Sequence, residues 1–297
     1  MTAGTANGAP QRLPALVEGM RPRQWAKNVL VLAVPLAAGE LLERDVLVAT
    51  LVAFVCFCLV SSATYLVNDV VDAEADRAHP VKHARPVARG ALAPRTALAA
   101  AVLLGLVSLG LAWWLTAPAF VAVLLAYLAC SFAYSTRLKR EPVIELALLA
   151  AGFLLRAVAG GAATGIPISQ WFLIVAGFGS LFMAAGKRYS ELVSLPEGVP
   201  PARVSLQGYT LEYLRFVWGV AAGVTITAYC LWAFEVAGGT GWAVWSVAPF
   251  VLAVLRYAVD IDAGRAEAPE DVALRDRTLQ VLALVWVVLF ALGAVHA

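Results

Sequence analysis

The chain has 297 residues, of which 61% are hydrophobic and 14% charged, and its formal net charge is only +2. Soluble domains carry about 25% charged residues. The composition therefore excludes a soluble globular protein and indicates an all-α polytopic membrane protein, with no nucleic-acid partner expected.

Residues 1–27 lack the apolar stretch of a cleavable signal. They read as a cytoplasmic tail with a short amphipathic segment (Leu13, Leu16, Val17, Met20) suited to the membrane surface. Residues 28–297 read as a single transmembrane domain. A span needs about 20 mostly apolar residues. About nine are expected, near 28–43, 46–67, 96–115, 118–135, 143–163, 169–186, 213–234, 242–259 and 278–296. With the N-terminus placed in the cytoplasm, nearly every Lys and Arg falls in a cytoplasmic segment. Arg44 falls outside and Arg156 lies within a span. Trp113, Trp114, Trp171, Trp242 and Trp245 then form an aromatic belt at the outer interface. Cys56, Cys58, Cys130 and Cys230 lie in apolar runs and read as small buried apolar residues. His79 and His83 have the spacing of a helical metal pair, but Pro80 between them argues against that helix.

The polar segment after the second span, YLVNDVVDAEADRAHPVKHARPVARG (Tyr65–Gly90), opposes this background. If residues 65–77 continue the helix, Asn68, Asp72, Asp76 and Asp69 lie at about 0°, 40°, 80° and 100° around its axis, with Glu74 near 240°. Four oxygen-bearing side chains share one arc, and Glu74 is not expected to join them. Two readings of that arc stand. Carboxylates with room for water and substrate phosphate suit Mg²⁺. A solvated acidic helix end paired with Arg77 and Arg85 needs no metal. Placement at the membrane face favours the metal.

Basic residues converge on the same side. They include Lys27 in RPRQWAKN, Lys82, Arg85 and Arg89 after the acidic arc, Lys139 in YSTRLKR (Tyr134–Arg140), and Lys187 and Arg188 in GKRYSE. Positive-inside topology alone would place each of them there. With the carboxylate face they resemble a magnesium–diphosphate clamp. Arg156 lies about 20 Å into the fifth span at 1.5 Å per residue. Charge at that depth must face the bundle interior, against a carboxylate such as Glu235, backbone carbonyls or a substrate phosphate. The Gly- and Ala-rich runs 157–165 and 176–186 suit close helix packing.

NDVVDAEAD (Asn68–Asp76) matches the NDxxDxxxD pattern of the UbiA superfamily of intramembrane prenyltransferases, and the expected span layout is similar over nearly the whole chain. The resemblance implies a UbiA-type bundle, with Asp69, Asp72 and Asp76 holding Mg²⁺ as catalytic residues and Asn68 in support. It departs from the family after the sixth span. There a second Asp-rich motif is usual, and Lys187, Arg188 and Glu191 stand instead. With RPRQWAKNVLVLAVPLAAGELL and YSTRLKREPVIELALLAAGFLLRAVAGG, this departure resembles the actinobacterial branch that moves a phosphoribosyl group from 5-phosphoribosyl diphosphate to a polyprenyl (decaprenyl) phosphate for cell-wall arabinan synthesis. That resemblance implies substrate-binding roles for Asn68, Lys27, Arg85, Tyr134, Lys139, Arg156, Lys187, Arg188 and Glu191. It also implies a multi-pass plasma-membrane location with a cytoplasm-facing site, and it leaves homo-oligomerisation open. Two rivals stand beside it. One is prenyl transfer from a prenyl diphosphate to an aromatic or glyceryl acceptor. The other is a transporter using Asp72, Asp76 and Arg156 as pathway residues, against which no internal repeat is found.

Overall fold

A computed structural model describes residues 14–78, 81–136, 138–196, 201, 204–235 and 241–295 of the chain. Among these residues every regular element is helical. In order they are α1 (Ala15–Met20), a 3-10 segment (Pro22–Leu32), α2 (Ala33–Ala37), α3 (Arg44–Val71), α4 (Ala73–Arg77) and a 3-10 turn (Lys82–Ala84). Then come α5 (Pro94–Leu115), α6 (Pro118–Thr136), a 3-10 turn (Leu138–Arg140), α7 (Ile144–Thr164) and α8 (Gln170–Val193). The last are α9 (Val204–Gln207), α10 (Leu211–Glu235), α11 (Gly241–Asp262), α12 (Pro269–Arg275) and α13 (Arg277–Val295). Starts are set by familiar chemistry. Proline occupies the first turn of α5 and α12. The Ser169 hydroxyl caps α8 by accepting from the amide of Phe172 at 3.1 Å.

Among the described residues seven helices are long and apolar enough to cross a membrane: α3, α5, α6, α7, α8, α10 and α11. The other two expected spans differ. The last corresponds to a shorter apolar stretch, Arg277–Gly293. The first, 28–43, is not one helix. It is the end of the 3-10 segment followed by α2, whose Pro35 has no amide to donate, and positive-φ Gly39 follows it. This broken element presses into α7 at Gly160. A Cβ there would collide with the backbone carbonyl of Val31 and meet the Pro35 ring at 2.8 Å. Only glycine permits that approach.

Two apolar cores flank α7. One joins the 3-10 segment, α3, α5, α6 and α7 around Phe57, Phe120 and Leu124. The other joins α8, α10 and α11 around Phe182, Tyr189 and Ile261, with Val272 of α12. Between them lies a cavity of about 1020 Å³. Its walls come from the 3-10 segment, α2, α7, α8, α10, α11, α12 and α13. Trp232, Phe250, Trp286 and Phe290 are among its lining residues, and Lys27 is its cationic one.

One end of the bundle carries nearly all the charge. Leu16 and Met20 of the expected amphipathic segment pack against the core of α3 and α5 there. Leu13 falls outside the described residues. Arg89 anchors α1 by donating to both oxygens of Glu18, at 2.7 and 2.8 Å. At the opposite end Trp113, Trp114, Trp242 and Trp245 are exposed, whereas Trp171 lines the cavity. All four cysteines are free thiols. Cys56 and Cys58 are buried, and Cys130 and Cys230 are partly so.

Asp276 starts α13. It accepts from the amide of Leu279 at 3.1 Å and from Arg256 at 2.7 Å. Those amide and guanidinium donors hold its carboxyl below the usual carboxylate range.

Two outcomes check this packing. Gly160→Ala should lower the melting temperature in detergent sharply. Gly105→Ala, where an added Cβ meets nothing within 4 Å, should be neutral or stabilising by up to about 1 kcal/mol. A depressed carboxyl pKa contributes stability above the ordinary value, lost as pH falls through the folded value. Asp276→Asn should therefore melt below the wild type at pH 7, and the gap should close as the pH falls below the ordinary carboxylate value and through the lower folded one.

Candidate active site

The acidic arc ends α3 and begins α4, and its helix is not continuous. Asp72 leaves helical geometry at φ −92° and ψ 3°, which separates the carboxylates into two directions. Asp69 and Asp76 turn to one side. Asp69 is 1% exposed and Asp76 4%. Arg85 joins them, with Nη1 2.6 Å from Asp76 Oδ2 and 3.5 Å from Asp69 Oδ1. Arg21 also donates to Asp69 Oδ1. Arg21 adopts a left-handed conformation (φ 54°) between α1 and Pro22, and its guanidinium stacks 5.1 Å from the Tyr65 ring. Asn68 and Asp72 turn the other way. Ser135 donates to Asn68 Oδ1, and Lys139 Nζ stands 2.6 Å from Asp72 Oδ1. Glu74 is exposed, and Arg77 donates to the carbonyl of Ala88 at 3.2 Å.

Three carboxylates are thus matched by three cations from three other segments. The reading of an acid face paired with Arg85 describes this state, but the pairs are not solvated, since Asp69 and Asp76 are buried. Asp69 Oδ2 has no hydrogen-bond partner. Among the described residues no three His, Cys, Asp or Glu side chains stand ready together around a metal. His79 of the histidine pair lies outside the described residues.

A second charged network lies on the other side of the α6 terminus. Arg188, 1% exposed, donates through Nε to Glu145, which is also ion-paired with Nη2, through Nη1 to Glu191 at 2.6 Å, and through Nη2 to the Tyr134 hydroxyl at 3.1 Å. Arg188 is therefore held by carboxylates and does not present a bare cation. The partly buried Lys187 precedes it. Tyr134 and Ser135 are consecutive, so the end of α6 connects both networks.

Arg156 finds neither a carboxylate nor Glu235. Nε donates to Asn28 at 2.8 Å, Nη1 to the carbonyl of Gly152 at 2.6 Å and Nη2 to Tyr127 at 2.8 Å. The guanidinium also stacks 4.8 Å from the Tyr127 ring and 5.9 Å from that of Phe57. It joins the 3-10 segment, α6 and α7 deep in the bundle. Lys27 lines the cavity on the far side of the same 3-10 segment. Sequence reasoning did not single out Arg21, Ser135 or Glu145 as site residues, nor Asn28 and Tyr127 as partners of Arg156.

Residues 29–282 match the model of the UbiA prenyltransferase family. The chain belongs to the UbiA prenyltransferase family. It is 50% identical over 293 residues to a decaprenyl-phosphate phosphoribosyltransferase of Mycobacterium tuberculosis, covering 97% of each chain. It is 48% identical over 295 residues to a protein of the same name from Mycolicibacterium smegmatis, covering 94% of this chain and 92% of that one. A UbiA homolog from Archaeoglobus fulgidus, solved with DMAPP and Mg²⁺, superposes with a TM-score of 0.72 at 16% identity, over 95% of this chain and 99% of that one. At that identity the likeness establishes a shared UbiA fold.

The Arg156 geometry has a direct check. Arg156→Met and Asn28→Ala should each destabilise, and a double-mutant cycle on thermal unfolding should give a coupling of roughly 1–3 kcal/mol, as expected for a charged buried hydrogen bond.

Proposed function

We propose that the chain transfers a 5-phosphoribosyl group from phosphoribosyl diphosphate to a polyprenyl phosphate such as decaprenyl phosphate, releasing diphosphate. The names of relatives that match it nearly end to end support that chemistry. One structural observation carries it. The 3-10 segment Pro22–Leu32 starts next to Arg21, which belongs to a cluster of three carboxylates and three cations, and its Ala26, Lys27 and Leu30 line a large apolar cavity. A charged sugar diphosphate suits the cluster and an isoprenoid tail the cavity. The charged end faces the cytoplasm by the positive-inside rule, at the plasma membrane of an actinobacterium. Residues 28–297 then form one catalytic domain, and residues 1–27 a tail with an interfacial helix.

The donor chemistry suits Mg²⁺: Asp69 and Asp76 offer hard oxygens on one side and Asp69 Oδ2 is buried without a partner, while Asp72, held by Lys139 on the other side, would have to turn to join them. These three residues would hold the ion. When bound, it neutralises the diphosphate and stabilises it as a leaving group.

The remaining work falls to the chain's own residues. Arg85, Arg21 and Lys139 are 26%, 28% and 22% exposed and already poised at the carboxylates. They exchange those partners for diphosphate oxygens and stabilise charge as C1–O breaks. Asn68, held by Ser135, orients the first carboxylate turn. Tyr134, Lys187 and Glu191 border the donor on the α8 side. Ribose C1 gains oxocarbenium character, and a phosphate oxygen of the lipid attacks the opposite face with inversion. A phosphate monoester is anionic near neutral pH, so no side-chain base is required. Lys27 holds that phosphate at the cavity, and the tail runs along the apolar wall into the bilayer. Arg156, with each nitrogen engaged by protein, supports the 3-10 segment rather than touching substrate.

Labelled phosphoribosyl diphosphate, Mg²⁺ and decaprenyl phosphate should give a labelled lipid with purified protein. Failure to do so, with turnover of a prenyl diphosphate instead, would return the chain to ordinary prenyl transfer. Arg85→Gln should lower kcat/KM by about 10²–10³, the scale of losing one preorganised charge donor. Lys27→Ala should raise KM for the lipid with little change in KM for the donor.

A further inference from the structure

Glu145, at the first turn of α7, is wholly buried, and its Oε2 has no hydrogen-bond partner. Its Oε1 accepts from Nε of Arg188 and is ion-paired with Nη2, while Glu191 takes Nη1. Two carboxylates from different helices therefore converge on one guanidinium, and the trio has a net charge of −1. An unpartnered carboxylate oxygen away from water depends on nearby positive charge for its compensation.

The backbone holds this carboxylate in place by an uncommon route. Val143 sits at φ 67° and ψ −51°, a region that β-branched residues avoid. The amide of Ile144 closes a tight turn onto the carbonyl of Pro142 at 2.8 Å. The amide of Val143 donates to the Tyr209 hydroxyl at 2.7 Å. Burial pushes that phenol up to about 12, so it stays protonated at neutral pH. Strain of this kind persists only where the surroundings over-determine it. Here Tyr209 and Pro142 fix the first residues of α7, and with them Glu145.

A pair of converging carboxylates, Glu145 buried and Glu191 partly so, is the ligand chemistry of a hard divalent ion. The place between them is filled by a group that is always charged and covalently attached. We infer that Arg188 is a built-in cation occupying, between Glu145 and Glu191, the place a divalent ion would otherwise take, with Glu145 as its positioning residue. Charge compensation of these two carboxylates is then independent of free Mg²⁺. Metal dependence is confined to the Asp69, Asp72 and Asp76 cluster. The arrangement also explains how a Lys–Arg pair can replace an acidic motif after α8 without leaving an uncompensated cation in the bundle. This inference deepens the proposed function and rests on it only for where the other metal binds.

The test counts Mn²⁺ bound per chain by electron paramagnetic resonance, using the purified full-length protein with inorganic diphosphate. Wild type, Arg188→Lys and Glu145→Gln should bind the same number. Arg188→Gln should bind one more, and Arg188→Gln/Glu145→Gln should return to the wild-type count. An Asp72→Asn background reads the acidic cluster separately, so loss of the proposed function's metal is distinguishable from loss of this one. A folded Arg188→Gln with an unchanged count overturns the inference. So does a wild-type ion that disappears in Glu145→Gln alone. If Arg188→Gln does not fold, the wild-type against Glu145→Gln comparison decides between those results.

Discussion

In a chain this apolar, a buried charge without a partner costs more than most single contacts return. That constraint organises the charged end of the molecule. Asp69, Asp72 and Asp76 draw Arg21, Arg85 and Lys139 from three segments that share no helix. The pairs tie the start of the 3-10 segment, the loop after α4 and the turn after α6 to the end of α3. Packing in the bundle below fixes where those segments begin, most tightly where Val31 meets Gly160.

The basic residues divide into two kinds. Arg21, Arg85 and Lys139 keep about a quarter of their side-chain surface exposed. Each holds a carboxylate that a metal could claim, so exchange of partners leaves neither side uncompensated. Arg156 and Arg188 are nearly wholly buried, and their nitrogens are taken by groups that do not leave. The first kind suits a substrate that arrives with several negative charges. The second gives the site a fixed frame. The apolar cavity is lined by the same 3-10 segment, so under the proposed function one element would position a water-soluble donor and a lipid acceptor at once.

Much of this was legible in the sequence. Composition and periodicity give the helical bundle, and the 100° arc selects Asn68, Asp69, Asp72 and Asp76 apart from Glu74. The bend at Asp72 was not legible, because helical spacing assumes continuous geometry. The break of the first expected span into a 3-10 segment and α2 was not legible, because hydropathy reads 28–43 as one apolar run and takes no account of Pro35 and Gly39. Arg156 stands out by depth alone, but its partners Asn28 and Tyr127 lie 128 and 29 residues away. Glu145 carries no spacing signal in the sequence that marks it as a site residue. Its burial depends on Arg188, 43 residues later. The one local signal was Pro142, which forces an irregular entrance to α7.

The central claim is that donor binding exchanges the partners of the exposed cations and leaves those of the buried ones. A structure of the protein with phosphoribosyl diphosphate and Mg²⁺ tests it most directly. The account requires Arg85 to leave Asp76 for a diphosphate oxygen, with the metal at the freed carboxylates, while Arg188 stays on Glu145 and Arg156 on Asn28. A bound donor with the Arg85–Asp76 pair intact, or with its diphosphate on Arg188, would contradict it.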